Sequence, residues 1–221
     1  LRRSRSLGFV NTLVTNGARL SRTLRDAPAC LDWVGLSVDS ADESTQAGLG
    51  RGRGQHVAQS RAHFAALHSL GIRVKLNTVV TSLNWQEDMS DFVRRTIPER
   101  WKVFQVLSID GQNDGRVEPL LISEAQFMSF VARHRHLSGL GITIAAESNE
   151  EMTGSYAMID PLGRFFTNVG GRYLYSAPIL QVGVDAAFSQ VAFDERRFEA
   201  RGGVYDWGGA VVPLTNSVSG R

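Results

Sequence analysis

The stretch Pro98 to Asn113, PERWKVFQVLSIDGQN, decides how the rest of the chain is read. As a β-strand with period-two alternation it places Arg100, Lys102 and Phe104 on one face and Trp101, Val103 and Gln105 on the other. Two cations therefore share a face. Enclosed about 7 Å apart, they would repel by roughly 2 kcal/mol at an effective dielectric of 20, before any desolvation cost. An enclosed pair of this kind needs an anion, whereas a half-exposed strand would leave both charges in water; the stretch alone fits either. A second segment, Val74 to Thr81, VKLNTVVT, has the same design, with Lys75 and Asn77 on one face and Val74, Leu76 and Val80 along most of the other. If helices cover both apolar faces, as in parallel α/β proteins, the polar faces turn toward a shared interior or cleft. Three cations and an amide then converge. Such a set suits a polyphosphate, whose separate oxyanions can each take a charge-assisted hydrogen bond.

Around these two strands the chain alternates. Phe9 to Gly17 reads as a buried strand ending in a Thr-Asn-Gly turn, a short helix follows from about Arg19 to Arg25, and Leu31 to Ser40 is the next strand. The loop from Ala41 ends in GRGRG, and a helix from about Gln55 to Leu70 is closed by Gly71. A shorter helix, Asp88 to Arg95, is stopped by Pro98. Ser123 to Leu137 forms another, with Ser123 as N-cap and Phe127, Phe130 and Val131 on its apolar face. This βαβα order predicts an α/β fold with a parallel sheet. Ligands in such folds gather at the carboxyl ends of the strands, where Asn16, Ser37, Asp39 and Asn77 fall. From Ile142 the pattern changes to one more strand, ITIAAES, a hairpin turning on Asp160-Pro161-Leu162-Gly163, and a looser tail with two short helices after Gly170-Gly171. The expected division is a core over 1–141 and a carboxyl-terminal extension over 142–221.

At 221 residues, 43% hydrophobic and 21% charged, the chain can bury a sizeable core. No apolar run approaches a membrane span, and a net charge of +2 is too small to argue for nucleic-acid binding. The single cysteine, Cys30, can form no internal disulfide and cannot hold an iron–sulfur cluster, so cytoplasmic residence is the expectation. The basic opening LRRSRS lacks a following apolar segment and reads as a solvated helix end. The first residue is Leu, so the start has been removed or the chain is a piece of a longer protein.

The remaining motifs exclude more than they assign. GRGRG is neither a Walker A sequence nor a GxGxxG fingerprint; it reads best as a turn holding Arg51 over the sheet end. His134 and His136 have no third ligand near them in sequence, so no metal site is expected. No Ser-His-Asp pattern or GxSxG elbow is present. ESNEEM followed by GSY brings Glu147 and Tyr156 to the point where the chain leaves the core, as a lid carrying a proton or electron donor or as a surface loop.

Several segments resemble a known family. SVDSADESTQAGLGRGRG (37–54) is similar to the fourth strand and following loop of radical S-adenosylmethionine enzymes, which implies that Ser37 meets the cofactor ribose, Arg51 its carboxylate, and that Asn16 joins the cofactor set. KLNTVVTSLNWQEDM, PERWKVFQVLSIDGQN and ESNEEMTGSYAMIDPLGRFFTN together look like the viperins, a branch active in antiviral defence, and the likeness runs on to RGGVYDW. The resemblance implies a [4Fe-4S] cluster and an electron donor, cleavage of S-adenosylmethionine to a 5′-deoxyadenosyl radical, and removal of the 4′ hydrogen of a ribonucleoside triphosphate. Loss of the 3′ hydroxyl as water would give the 3′-deoxy-3′,4′-didehydro analogue of CTP, UTP or GTP. By matching position, Lys75, Asn77, Arg100 and Lys102 would hold the triphosphate and Tyr156 would quench the product radical. The resemblance also implies a partial (βα)6, TIM-like barrel. The family's CxxxCxxC loop and Gly-Gly-Glu motif would lie before Leu1, so the first βα units would be missing, the cluster ligands would lie elsewhere, Phe9 to Thr15 would be an open strand edge, and the chain would be inactive alone. The ending NSVSGR departs from the family's terminal aromatic residue, to which only Trp207 is comparable. Three alternatives stay open: an enzyme like the cyclase of molybdenum-cofactor synthesis, an aldolase-type barrel with Lys75 as its Schiff-base lysine, and a cluster-free nucleotide-binding module.

Overall fold

The computed structural model describes residues 1–204. RGGVYDW therefore lies only partly within the described residues, and Trp207 and NSVSGR lie outside them. Helix α1 (Arg2–Ser6) precedes strand β1 (Thr12–Thr15), helix α2 (Leu20–Asp26) and strand β2 (Trp33–Ser37). Helices α3 (Glu43–Gly48) and α4 (His56–Ser69) lead to β3 (Arg73–Val80), α5 (Ser90–Thr96) to β4 (Arg100–Gln105), and α6 (Glu124–His134) to β5 (Thr143–Glu147). The five strands form a parallel sheet in the order β1-β2-β3-β4-β5. The mixed α/β architecture expected from the alternation is therefore present, with shorter strands at the amino-terminal end than the sequence suggested. Strand β5 lies beyond residue 141 and pairs with β4 throughout, Phe104 opposite Glu147.

One face of this sheet holds the core. Val34, Leu36, Val74, Leu76, Trp101 and Val103 are buried beneath Phe64 and Leu67 of α4, Phe92 and Val93 of α5, and Phe127 and Phe130 of α6. Side chains cap the starts of α3 and α6: Asp42 accepts from Thr45 N ahead of α3, and Ser123 forms a capping box with Gln126 ahead of α6. Trp101 is the largest inward anchor of β4. Its indole N–H donates to Thr78 Oγ1 at 2.9 Å, and its ring meets Phe130 and His134 edge-on. The alternation on β3 and β4 therefore leaves Lys75, Asn77, Arg100 and Lys102 on the opposite face. Among the described residues strand β1 pairs only with β2, and Phe9 and Val14 at this edge are 61% and 60% exposed.

A short helix, α7 (Asn149–Met152), leads into a second, antiparallel sheet of β6 (Met158–Ile159), β7 (Arg164–Val169) and β8 (Arg172–Pro178). Asp160 organises the first turn: its Oδ1 accepts from Leu162 N and Arg164 N, and its Oδ2 accepts from Arg164 Nε at 2.8 Å. The looser tail expected after Gly170 is corrected here. Gly170 and Gly171 both have positive φ, the requirement of a two-residue type I′ hairpin, and β8 returns along β7 with Arg172 opposite Val169. Three short helices follow, α8 (Ile179–Val182), α9 (Val184–Phe188) and α10 (Glu195–Ala200). Among the described residues no helix is long and apolar enough to cross a membrane.

Candidate active site

Parallel pairing sets the site in rows. Lys75 of β3 lies opposite Arg100 of β4, and Asn77 lies opposite Lys102, with Ser37 of β2 completing the second row. In the first row the β2 partner of Lys75 is Gly35, so no side chain intervenes there. Lys75, Asn77, Lys102, Ser37 and Tyr156 line one cavity of about 420 Å³. Arg100 is 7% exposed and its Nη2 donates to the carbonyl of Gly202, 102 residues later, at 2.9 Å. The end of α10 is thereby tied to the strand that carries the cations.

An interior anion is supplied by the chain itself. Lys102 Nζ lies 2.7 Å from Glu147 Oε1 and 2.8 Å from the Tyr156 hydroxyl, which in turn donates to Glu147 Oε2. Arg201 Nη1 approaches Glu147 Oε1 at 3.4 Å, and its guanidinium lies 3.8 Å from the centre of the Tyr156 ring. Burial pushes the Lys102 ammonium below its ordinary range, and Glu147 pulls against that shift. Burial, reinforced by Glu147, pushes the Tyr156 phenol upward, so it stays protonated at neutral pH. Lys75 is lowered to about 7, first by burial and then by Lys102, Arg100 and Arg73. Its ammonium sits 4.6 Å from the Trp33 ring centre.

A second cavity of about 440 Å³ adjoins the first, and Asp39, Arg51 and Val79 line both. Asn16, Gly50, Gly52 and His56 belong to this second one. Asp39 is 4% exposed; it takes Arg51 Nε at 2.5 Å on one oxygen and Val79 N at 2.9 Å on the other. The GRGRG loop thus holds Arg51 over the sheet end through a buried carboxylate. A side chain at Gly52 would come within 2.9 Å of His56 Cβ, so the loop can pack on α4 only with glycine there. The expected cofactor residues are divided between the cavities: Asn16 lines the second, Ser37 lines the first and its carbonyl meets His56 Nε2 at 3.0 Å, and Arg51 lies where the two adjoin.

No family model matches the chain. It is 42% identical over 212 residues to the S-adenosylmethionine-dependent nucleotide dehydratase of Flammeovirga pacifica, a match covering 94% of this chain and 71% of that relative. The chain belongs to the S-adenosylmethionine-dependent nucleotide dehydratases. It is also 38% identical to the dehydratase of Lacinutrix mariniflava, over 94% of this chain and 44% of the relative. To the dehydratase RSAD2 of Siniperca chuatsi it is 36% identical, over 92% and 58%. The chain therefore spans about two-fifths to seven-tenths of these relatives. Among solved structures, Streptococcus suis SuiB bound to S-adenosylmethionine superposes with a TM-score of 0.53 at 12% identity, covering 73% of this chain and 43% of SuiB.

In this dehydratase chain the sequence pointed to Glu147 but gave it no place among the ligand-binding side chains, and Arg201 was missed. The signal for Glu147 was available: it shares parity with Thr143 and Ala145 on an otherwise uncharged strand, so it faces the side of Lys102. Arg201 follows a short surface helix, and nothing local announces that it is 8% exposed against Tyr156. Gly35 is a further member of the site. A Cβ there would lie 3.3 Å from Asn77 Nδ2 and 3.4 Å from Val14, so Gly35→Val should fill the space beside Lys75. The expected outcome is a roughly tenfold or greater loss of anion affinity by calorimetry, with a melting temperature within about 5 °C of the parent.

Proposed function

We propose that these residues form the substrate-binding part and most of the cofactor-binding part of a radical S-adenosylmethionine enzyme. It would remove water from CTP, UTP or GTP to give the 3′-deoxy-3′,4′-didehydro nucleotide in antiviral defence. The observation that carries this reading is the register of β3 and β4, which aligns Lys75 with Arg100 and Asn77 with Lys102: Lys75, Asn77 and Lys102 line one cavity, and Arg100 is buried in the row of Lys75. On this reading 1–141, with β5 added to its sheet, is the carboxyl-terminal part of a partial (βα)6 barrel, and the remainder of 142–221 is an extension closing over the substrate, in a cytoplasmic setting. Family membership supports the reaction class, and the cation rows support a triphosphate.

S-adenosylmethionine fits the second cavity chemically. Arg51 keeps guanidinium N–H groups beyond the one committed to Asp39, which suits a carboxylate, and Asn16 and the glycine backbone offer polar contacts. When bound, it would supply the radical that takes the 4′ hydrogen. An iron–sulfur cluster does not fit these residues: Cys30 is the only cysteine, and among the described residues no three metal-ligating side chains cluster. The chain's own work is then to neutralise phosphates with Lys75, Arg100 and Lys102, to orient them with Asn77, and to hold a protonated Tyr156 at the cavity wall.

The test is anaerobic turnover by the complete gene product with S-adenosylmethionine, an electron donor and each nucleoside triphosphate. A didehydro nucleotide detected by mass spectrometry is expected, and Arg100→Ala should abolish it. Full turnover in that variant would remove the triphosphate assignment. One observation favours a second reading: a lysine lowered to about 7 is also suited to Schiff-base chemistry. Borohydride trapping of a carbonyl substrate on Lys75, with no nucleotide binding, would select it.

A further inference from the structure

Three elements converge on one fully buried carboxylate, Glu147. Lys102 comes from β4, Tyr156 from the segment after α7, and Arg201 from the end of α10. Lys102, Tyr156 and Glu147 close a ring in which the ammonium donates to both partners and the phenol donates to the carboxylate. Lys102 and Tyr156 line the cavity, with Glu147 behind them. Arg201 also donates to Ser155 O at 2.8 Å, which holds the segment carrying Tyr156 in place. Arg100 acts on both Lys102 and Tyr156 from the neighbouring row.

We propose that Glu147 is a positioning residue that fixes the protonation states of the cavity wall, keeping Lys102 an ammonium and Tyr156 a neutral phenol. The phosphate arm of this inference rests on the reading above; the phenol arm does not. Enclosure without an anion favours loss of a lysine's proton, and a carboxylate within hydrogen-bond distance opposes that tendency. The same carboxylate disfavours a second negative charge on the phenol it accepts from. An ammonium has three N–H groups, and two are held by Glu147 and Tyr156, so one remains for a ligand oxygen. Lys75 lies one row further from Glu147, and it is the lysine brought down to about 7.

The deciding variant is Glu147→Gln, which keeps the shape and removes the charge. Ultraviolet titration of phenol ionisation, with Tyr156→Phe versions of each protein as blanks, should show Tyr156 ionising at least about one pH unit lower in Glu147→Gln than in the parent. Binding of inorganic tripolyphosphate at pH 8, by calorimetry in buffers of different ionisation heat, should take up as much as about one extra proton in Glu147→Gln. Glu147→Asp should restore the parent count. An unchanged phenol titration overturns the proposal, as does an unchanged proton count in a variant that binds. If Glu147→Gln does not fold, comparing Lys102→Met with Lys102→Met/Glu147→Gln gives the same phenol readout without an uncompensated lysine. Tripolyphosphate that fails to bind the parent, or binds Lys75→Ala equally well, removes the phosphate reading and leaves the phenol arm to decide the role of Glu147.

Discussion

Replacing Lys75 by alanine is expected to weaken binding of CTP and of inorganic tripolyphosphate by at least about a hundredfold at pH 7, because truncating one partner of an enclosed charge pair costs roughly 3 kcal/mol. Calorimetry on the parent and the variant measures this directly. The pH dependence gives the result a second signature. Lys75 in the free chain sits at about 7, and a phosphate oxyanion beside it would raise that value. Below about pH 7 both free and bound states carry the proton, so affinity does not change through this group. Above it the bound state holds the proton that the free state has lost, so binding takes up a proton and weakens by up to about tenfold per pH unit. Lys75→Arg stays charged throughout and should lose this slope, which separates Lys75 from titration of the ligand's own phosphates. A parent whose affinity is flat from pH 7 to 9, or a Lys75→Ala variant that binds like the parent, would remove Lys75 from the anion site.

The sequence exposed the rows of the sheet because strand parity is a local property. Once Trp101 and Val103 are assigned to the core, Arg100 and Lys102 must share the other face, and the parallel arrangement follows from helices between every pair of strands. Register is not local. That Lys75 meets Arg100 and Asn77 meets Lys102 depends on where α5 ends and how the chain enters β4, which alternation does not specify. The anion demanded by two cations on one face was inferred as a ligand, and the structure answers it first with Glu147, supplied by the adjacent strand. Beyond β5 legibility falls. Val169-Gly170-Gly171-Arg172 carries a hairpin signal that was read as a break, because the strand after it alternates Tyr173, Leu174 and Tyr175 with little apolar contrast. Arg201 reaches Tyr156 through packing of α10 against α7, a contact with no periodicity in sequence.

Trp101→Ala is expected to destabilise the chain by about 3–5 kcal/mol, a large share of the margin of an ordinary domain. The indole is 0% exposed and packs edge-on against Phe130 and His134, so its removal leaves a void that the rigid sheet cannot close. It also removes the N–H that Thr78 Oγ1 accepts, although Thr78 keeps its own donation to Val38 O at 2.7 Å. Trp101→Phe restores most of the ring volume and should cost only about 1–2 kcal/mol. Both values come from urea denaturation followed by tryptophan-independent circular dichroism. The pair has a functional use, because Trp101 points to the helix side of β4 while Lys102, the next residue, points to the cavity. If the two faces are as separate as the alternation requires, folded Trp101→Phe binds tripolyphosphate with the parent's affinity, whereas Lys75→Ala, at a stability close to the parent's, binds at least about a hundredfold more weakly. A Trp101→Phe protein that folds normally but loses anion binding would show that the phosphate site does not lie on the face opposite the core, and the placement of the cation rows would have to be abandoned.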